Sequence, residues 1–436
     1  MTQKKMLVSV FLVLLVAFGW MQLLTSGGSR AQYNSLMESA QGLMERGLYQ
    51  KAGQEYFLAA QEINTEEACS AAVEAFRAGY VQDEELFDDY QQALEQALEK
   101  QPAHTSFAQA LAELYLEDGD ARSAYTMLSN AVKNGADEQA LEEMMRHARY
   151  ACTPGWQTFS SVSPLCGGYY VVDRYGGWDY LSKDGETQNL TGYDFLGPIG
   201  EEGIRLVRKN DRWQLEGSDA VIQGFVTEQV QEAGVYAQGL IPLKMDGLYY
   251  YYDLLGEVQF GEYEMAGTFT KGTAAVQTAD GWMLINSEGQ PVSDTLYREI
   301  RLNGEGRYLV DDRMLADSGS GFCLFDKKEN PIGSFNAEVV DILTEDGLFA
   351  FCQKEKWGFA NDKGEIVIPA QYEQAKSFSN GLAAVFDGNK WGFINKNNEL
   401  VIDFQFIQAD YFNDAGFCMI QKESGEWSLL ERQIKE

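Results

Sequence analysis

A glycine followed by a four-residue, apolar-rich run recurs eight times along the C-terminal two thirds of the sequence. The copies are Gly168 (YYVV), Gly203 (IRLV), Gly239 (LIPL), Gly272 (TAAV), Gly306 (RYLV), Gly347 (LFAF), Gly381 (LAAV) and Gly416 (FCMI). An aromatic follows each in step: Trp178, Trp213, Tyr249, Trp282, Phe322, Trp357, Trp391 and Trp427. The interval is ten residues in six cases, eleven at Trp427 and sixteen at Phe322. Repetition on a period of about 35 residues means that one small unit cannot bury its own apolar face and must stack on copies of itself. Such a chain folds as a solenoid, a hairpin array or a ring. The long interval at Phe322 places an insertion, DDRMLADSGSG at 311–321, in the fifth unit.

Within a unit the pattern is that of short strands. From Gly381 it reads LAAVF, a DGN turn, KWGFIN, a KNN turn, ELVI and then FIQADYF. Asp-Gly pairs at Asp246-Gly247, Asp280-Gly281 and Asp387-Gly388 are hairpin signals. Over residues ~156–433 the sequence resembles the WG-repeat family, whose frame is K-W-G-aromatic, then G-x-Φ-x-Φ-P, Y-x-x-A-x-x-F and G-L-A-A-V. The match is close in KWGFANDKGEIVIPAQYEQAKSFSNGLAAV (356–385) and good in 263–292. Elsewhere Asp179, Gln214, Tyr250, Met283, Cys323 and Ser428 replace the glycine after the aromatic. The resemblance implies a β scaffold and names no active site.

The phase of the two ends bears on closure. Residues 156–172 align with the last two strands of a unit and the start of the next, whereas 416–433 supply the first two strands and lack the last two. The start of the region therefore offers what its end lacks, and no polar capping unit is visible. This predicts an eight-unit β-propeller over residues 152–436; an open β-solenoid or hairpin array is the alternative. In a ring the eight aromatics are expected between blades, as core and not as ligand platforms. The glycines are expected to start the innermost strand, where a side chain or a negative φ would not fit.

Ahead of the repeats lie two other segments. MTQKK (1–5) precedes an uncharged apolar run over 6–24, long enough for one membrane crossing. Lys4 and Lys5 before the run place the N-terminus in the cytoplasm and the bulk of the chain outside it. The expectation is a single-pass membrane protein with an uncleaved signal-anchor. Residues 31–151 have helical spacing, with paired apolar faces around Gly47 and around Gly119-Asp120. Both resemble tetratricopeptide repeats, which implies an α-solenoid whose concave face binds peptides; a spacer is the plainer reading. Acidic runs such as DEELFDD (83–89) favour a basic peptide. The expected whole is thus multidomain, α plus all-β.

A formal charge of −32 repels phosphate backbones, so nucleic acid is a poor partner. The two histidines, His104 and His147, both precede the repeats. A Ser-His-Asp or Cys-His site in the repeat region is therefore excluded. The six cysteines are scattered without a C-x-x-C pair, so no metal site or cofactor is expected. Asp311, Asp312 and Asp317 in the insertion lack EF-hand spacing. These observations point to a membrane-anchored extracytoplasmic scaffold binding other proteins through both repeat regions, and not to an enzyme. The alternative is a cell-envelope glycan binder, with Tyr169-Tyr170 and Tyr249–Tyr252 as aromatic platforms.

Overall fold

The computed structural model describes residues 28–217, 221–224, 230–334 and 336–434, with backbone only at 221–224. The chain divides into two compact units between Arg149 and Tyr150.

The first unit is helical: α1 (28–45), α2 (Tyr49–Glu62), α3 (Glu66–Gln82), α4 (Phe87–Lys100), α5 (Thr105–Glu117), α6 (Ala121–Lys133) and α7 (Glu138–Arg149). Side chains cap several starts. Thr65 accepts from the Ala68 amide, Asp120 from Ser123, and His104 Nδ1 from Phe107. From α2 onward each helix packs on the next. The contact between α2 and α3 is close because small residues line it: Ala52, Ala59, Ala72 and Ala75 are fully buried. A Cβ on Gly53 would meet the Phe76 ring at 2.4 Å.

Two expectations are corrected here. The proposed transmembrane helix over 6–24 lies outside the described residues, and among the described residues no helix is long and apolar enough to cross a membrane. The helices present bury one alanine-rich stripe and keep charge on the other face, as α3 does with Glu66, Glu67, Glu74 and Arg77. Over the described residues the fold class is therefore a helical stretch followed by a β-propeller, with no membrane-spanning helix among them. Single-pass membrane localisation is likewise not supported.

In the second unit the described strands form eight sheets. A representative blade, the seventh, runs Gln374–Ala375, Leu382–Phe386, Trp391–Asn395 and Leu400–Phe406, each antiparallel to the next. The eighth contains Gln408–Ala409, Phe417–Gln421 and Trp427–Arg432, and its fourth strand is Cys152–Pro154 from the start of the unit. Cys152 pairs with Arg432 and Pro154 with Leu430. The closing blade thus takes three strands from the C-terminal side and one from the N-terminal side.

Eight apolar clusters fill the spaces between blades, one for each successive pair. Val171 and Tyr180 of the first blade meet Leu196 and Val207 of the second. Phe393 and Ile402 of the seventh meet Ile420 and Leu430 of the eighth. Phe417 and Met419 of the eighth meet Tyr170 and Val172 of the first. The ring is closed, and the open array is set aside. Every one of these clusters contains one of the eight registered aromatics.

A cavity at the centre of the ring as the candidate functional site

The two-residue strands, such as Gln374–Ala375, lie next to the axis, and the strands that follow the registered glycines are second from it. This corrects the expected position of those glycines. Their requirement is conformational, because all eight have φ between 70° and 91°. A Cβ on Gly168, Gly203, Gly239 or Gly272 would meet nothing within 4 Å. Gly239, Gly272 and Gly381 each follow a residue that also has positive φ, the signature of a type I′ hairpin.

These turns are stitched from blade to blade. Glu202 accepts from the Gln238 amide, Gln238 Oε1 from the Gly272 amide, and Asp346 from the Gly381 amide. Asn380 donates to the Asn413 carbonyl, and Asn413 to the Lys183 carbonyl, which carries the stitching across the closure.

The fifth blade departs from this pattern, and not where the spacing put it. Its second strand is Arg313–Asp317, which lies inside the supposed 311–321 insertion. The hairpin before it is Asp311-Asp312, with φ of 49° and 59° and a bridge between Val310 and Arg313. Asp312 stands ten residues before Phe322, so it holds the place that glycine holds elsewhere. Gly306 belongs to an extra loop, 302–307, on the axial side.

That loop crosses the middle of the ring. The Cys166 thiol donates to the Gly304 carbonyl at 3.1 Å, and the Gly167 amide to Glu305 Oε1 at 2.9 Å. Arg307 pairs with Glu201 of the second blade at 3.1 Å. Thr268 of the fourth blade bonds the Glu305 carbonyl at 2.6 Å. First and fifth blades are opposite in an eight-membered ring, so the loop partitions the axial space. Burial beneath it pushes the Cys166 thiol up to about 12.

To one side of the partition is a cavity of about 890 Å³, lined by inner loops of the first, fifth, sixth, seventh and eighth blades. Glu305, Glu345, Asp346, Asp410 and Asp414 face it together with Lys183 and Lys376. At the residue directly after each innermost strand, the blades divide into two halves. The first four carry Ser163, Gly197, Gly234 and Gly267; the last four carry Arg301, Asp341, Lys376 and Asp410. All eight donate their amide to the neighbouring strand at equivalent points, which establishes the correspondence.

The charged half is interlocked. Lys376 Nζ bonds Asp410 at 2.8 Å and lies 4.9 Å from the Tyr411 ring. Tyr411 donates to both oxygens of Asp341 at 2.9 and 2.8 Å, and the Ser377 amide adds a third bond at 2.7 Å. Desolvation, reinforced by the Asp341 charge, pushes the Tyr411 hydroxyl well above its ordinary value, so it stays a donor. Arg301 grips the Val340 carbonyl with its guanidinium.

Of the other sequence-predicted positions, Tyr249, Trp282, Phe322 and Trp391 are buried between blades, and Trp178, Trp213, Trp357 and Trp427 are half-buried there. Of the tyrosines suggested as glycan platforms, Tyr170, Tyr249, Tyr251 and Tyr252 are buried and do not serve, whereas Tyr169 and Tyr250 are half-buried. Among the described residues no three His, Cys, Asp or Glu side chains gather as metal ligands. The axial charges escaped the sequence reading, although their signal was present as R, D, K and D at one repeat position. Described by itself, the helical unit has a groove of about 470 Å³. Leu98, Tyr115 and Met127 give it apolar surface, and Arg122, Ser123, Asn130 and Asn134 give it polar groups.

The WG-containing repeat family matches residues 357–391 and 391–427, which are the segments joining successive aromatics in the last blades. No curated protein matches the chain. Solved structures similar to it include Hsv2p of Kluyveromyces lactis, at 7% identity over 56% of this chain and 96% of that one, TM-score 0.38. An eukaryotic initiation factor is similar at 10% identity over 63% and 85%, TM-score 0.41. The WD40 domain of SCAP from fission yeast is similar at 8% over 66% and 89%, TM-score 0.34. The ring is established by its own sheets and interfaces.

Proposed function

We propose that this chain is a non-enzymatic scaffold for protein–protein interaction. Its axial cavity takes a basic segment of one partner, and its helical arm, which resembles tetratricopeptide repeats, offers a groove to another. The observation that carries the reading is the axial belt of Arg301, Asp341, Lys376 and Asp410 beside a net acidic cavity wall. Alternating fixed charges favour one register of a partner's side chains and penalise others through like-charge contact, which is a device for specificity.

The test is a cross-linking pull-down with the full chain and with the double reversal Glu345→Lys, Asp414→Lys. Both side chains are exposed, so the fold should tolerate the change. The wild type should capture proteins whose binding weakens at high salt, since the reach of exposed charge is about 8 Å at physiological ionic strength. The reversed protein should lose part of that set, and Met127→Glu in the arm should lose a different part. Identical partner sets for all three proteins would refute the reading.

A further inference from the structure

Where the ring closes, a second recess lies on its outside, independent of the axial cavity. It has a volume of about 520 Å³, and its walls come from three places: Trp156 to Thr158 after the closing strand, Arg174 and Tyr175 in the first blade, and the loop at Asn189. Trp156 is 85% exposed and Tyr175 is 72% exposed. Two large aromatics left in water on one recess ask for an explanation that a buried core does not supply.

Tyr175 is held there at a cost. Its φ is 57°, a left-handed conformation that a bulky side chain rarely adopts. The surroundings enforce it. The Arg174 amide closes the turn onto the Gly177 carbonyl, and the Gly176 amide donates to Asp173. The tyrosine hydroxyl bonds Glu426 of the eighth blade and lies 2.8 Å from Thr158 Oγ1. Ring and hydroxyl are thus fixed at the closure. Strain kept in place by several bonds is a pointer to use.

The opposite wall is polar and equally fixed. Asp179 is 2% exposed, and its carboxylate accepts from the amides of Tyr180, Asn189 and Leu190. Its Oδ2 lies 3.6 Å from the Arg174 guanidinium, which also donates to the Asn189 side chain. Arg174 and Asn189 therefore face the recess with spare donors, and Gln157 adds an amide.

We propose that this recess binds a neutral saccharide. A pyranose ring has an apolar C–H face that lies on an exposed indole or phenol, and a rim of hydroxyls that pairs with an amide and a guanidinium. The aromatic and polar walls supply those two surfaces on one recess. The charge of −32 disfavours an acidic glycan.

The test titrates the full chain with maltotriose, cellotriose and triacetylchitotriose, followed by saturation-transfer NMR, with a proline-rich decapeptide as the competing class. At least one trisaccharide should bind. Trp156→Ala should weaken it about tenfold or more with an unchanged melting temperature, and Trp156→Phe should retain part of the affinity. Binding should survive Glu345→Lys with Asp414→Lys, which separates this site from the axial one. Absence of binding by all three sugars, full binding by Trp156→Ala, or binding of the peptide alone would overturn the proposal.

Discussion

Trp391 begins the third strand of its blade, pairs with Phe386, and is 6% exposed against the eighth blade. Truncation to alanine should cost about 3–5 kcal/mol, as for other buried aromatics, and calorimetry of the full chain measures it. An unchanged melting temperature would mean that the indole is not core. Such aromatics were legible from sequence because core packing repeats with the unit. The glycines were legible for a related reason, since a left-handed turn residue is usually glycine. Asp312 shows where that reading fails. Aspartate tolerates the same conformation, and ion pairs with Lys271 and Lys327 accompany it here. Glycine alone therefore points to Gly306, the nearest one upstream of Asp312, and puts the insertion on the wrong side of a strand.

At the scale of the element, the 302–307 loop is an inner connection that reaches the opposite blade. Its ends sit close together, since the Asn303 amide donates to the Arg307 carbonyl at 2.9 Å, and shorter loops serve at this place in other blades. Deleting 302–307 should therefore leave eight blades and one melting transition. The change should appear at Cys166, whose thiol is covered by Gly304 and protonated at neutral pH. In the native wild type it should resist iodoacetamide, and in the deletion it should be alkylated, as read by peptide mass spectrometry. Continued protection of Cys166 would show that the loop does not cover it. This contact was not legible beforehand, because nothing in a repeat marks which inner loop will bridge the ring. The axial belt was legible in principle, but loops are usually read for turn residues, and a charge there passes as solvated.

For the whole molecule, one three-residue strand decides whether a ring or an arc exists. Deleting 152–154 should lower the melting temperature of the entire ring, since the eighth blade would expose the edge at Trp427–Arg432 and loosen both of its interfaces. Hydrogen exchange should rise in the first, seventh and eighth blades together. Fraying confined to the eighth would count against cooperative closure. Closure also sets an order of events during synthesis. Thr153 leaves the ribosome long before its partner Glu431, so the first strand of the ring waits for almost the last. Until then seven blades have an unmatched end on each side, and each nascent chain carries two open edges that could pair with those of its neighbours. Contacts of such sequence separation form slowly and leave the chain open to mispairing while they are missing. A ribosome that stops before Trp427–Arg432 is made would release a protein with most of its blades and no ring.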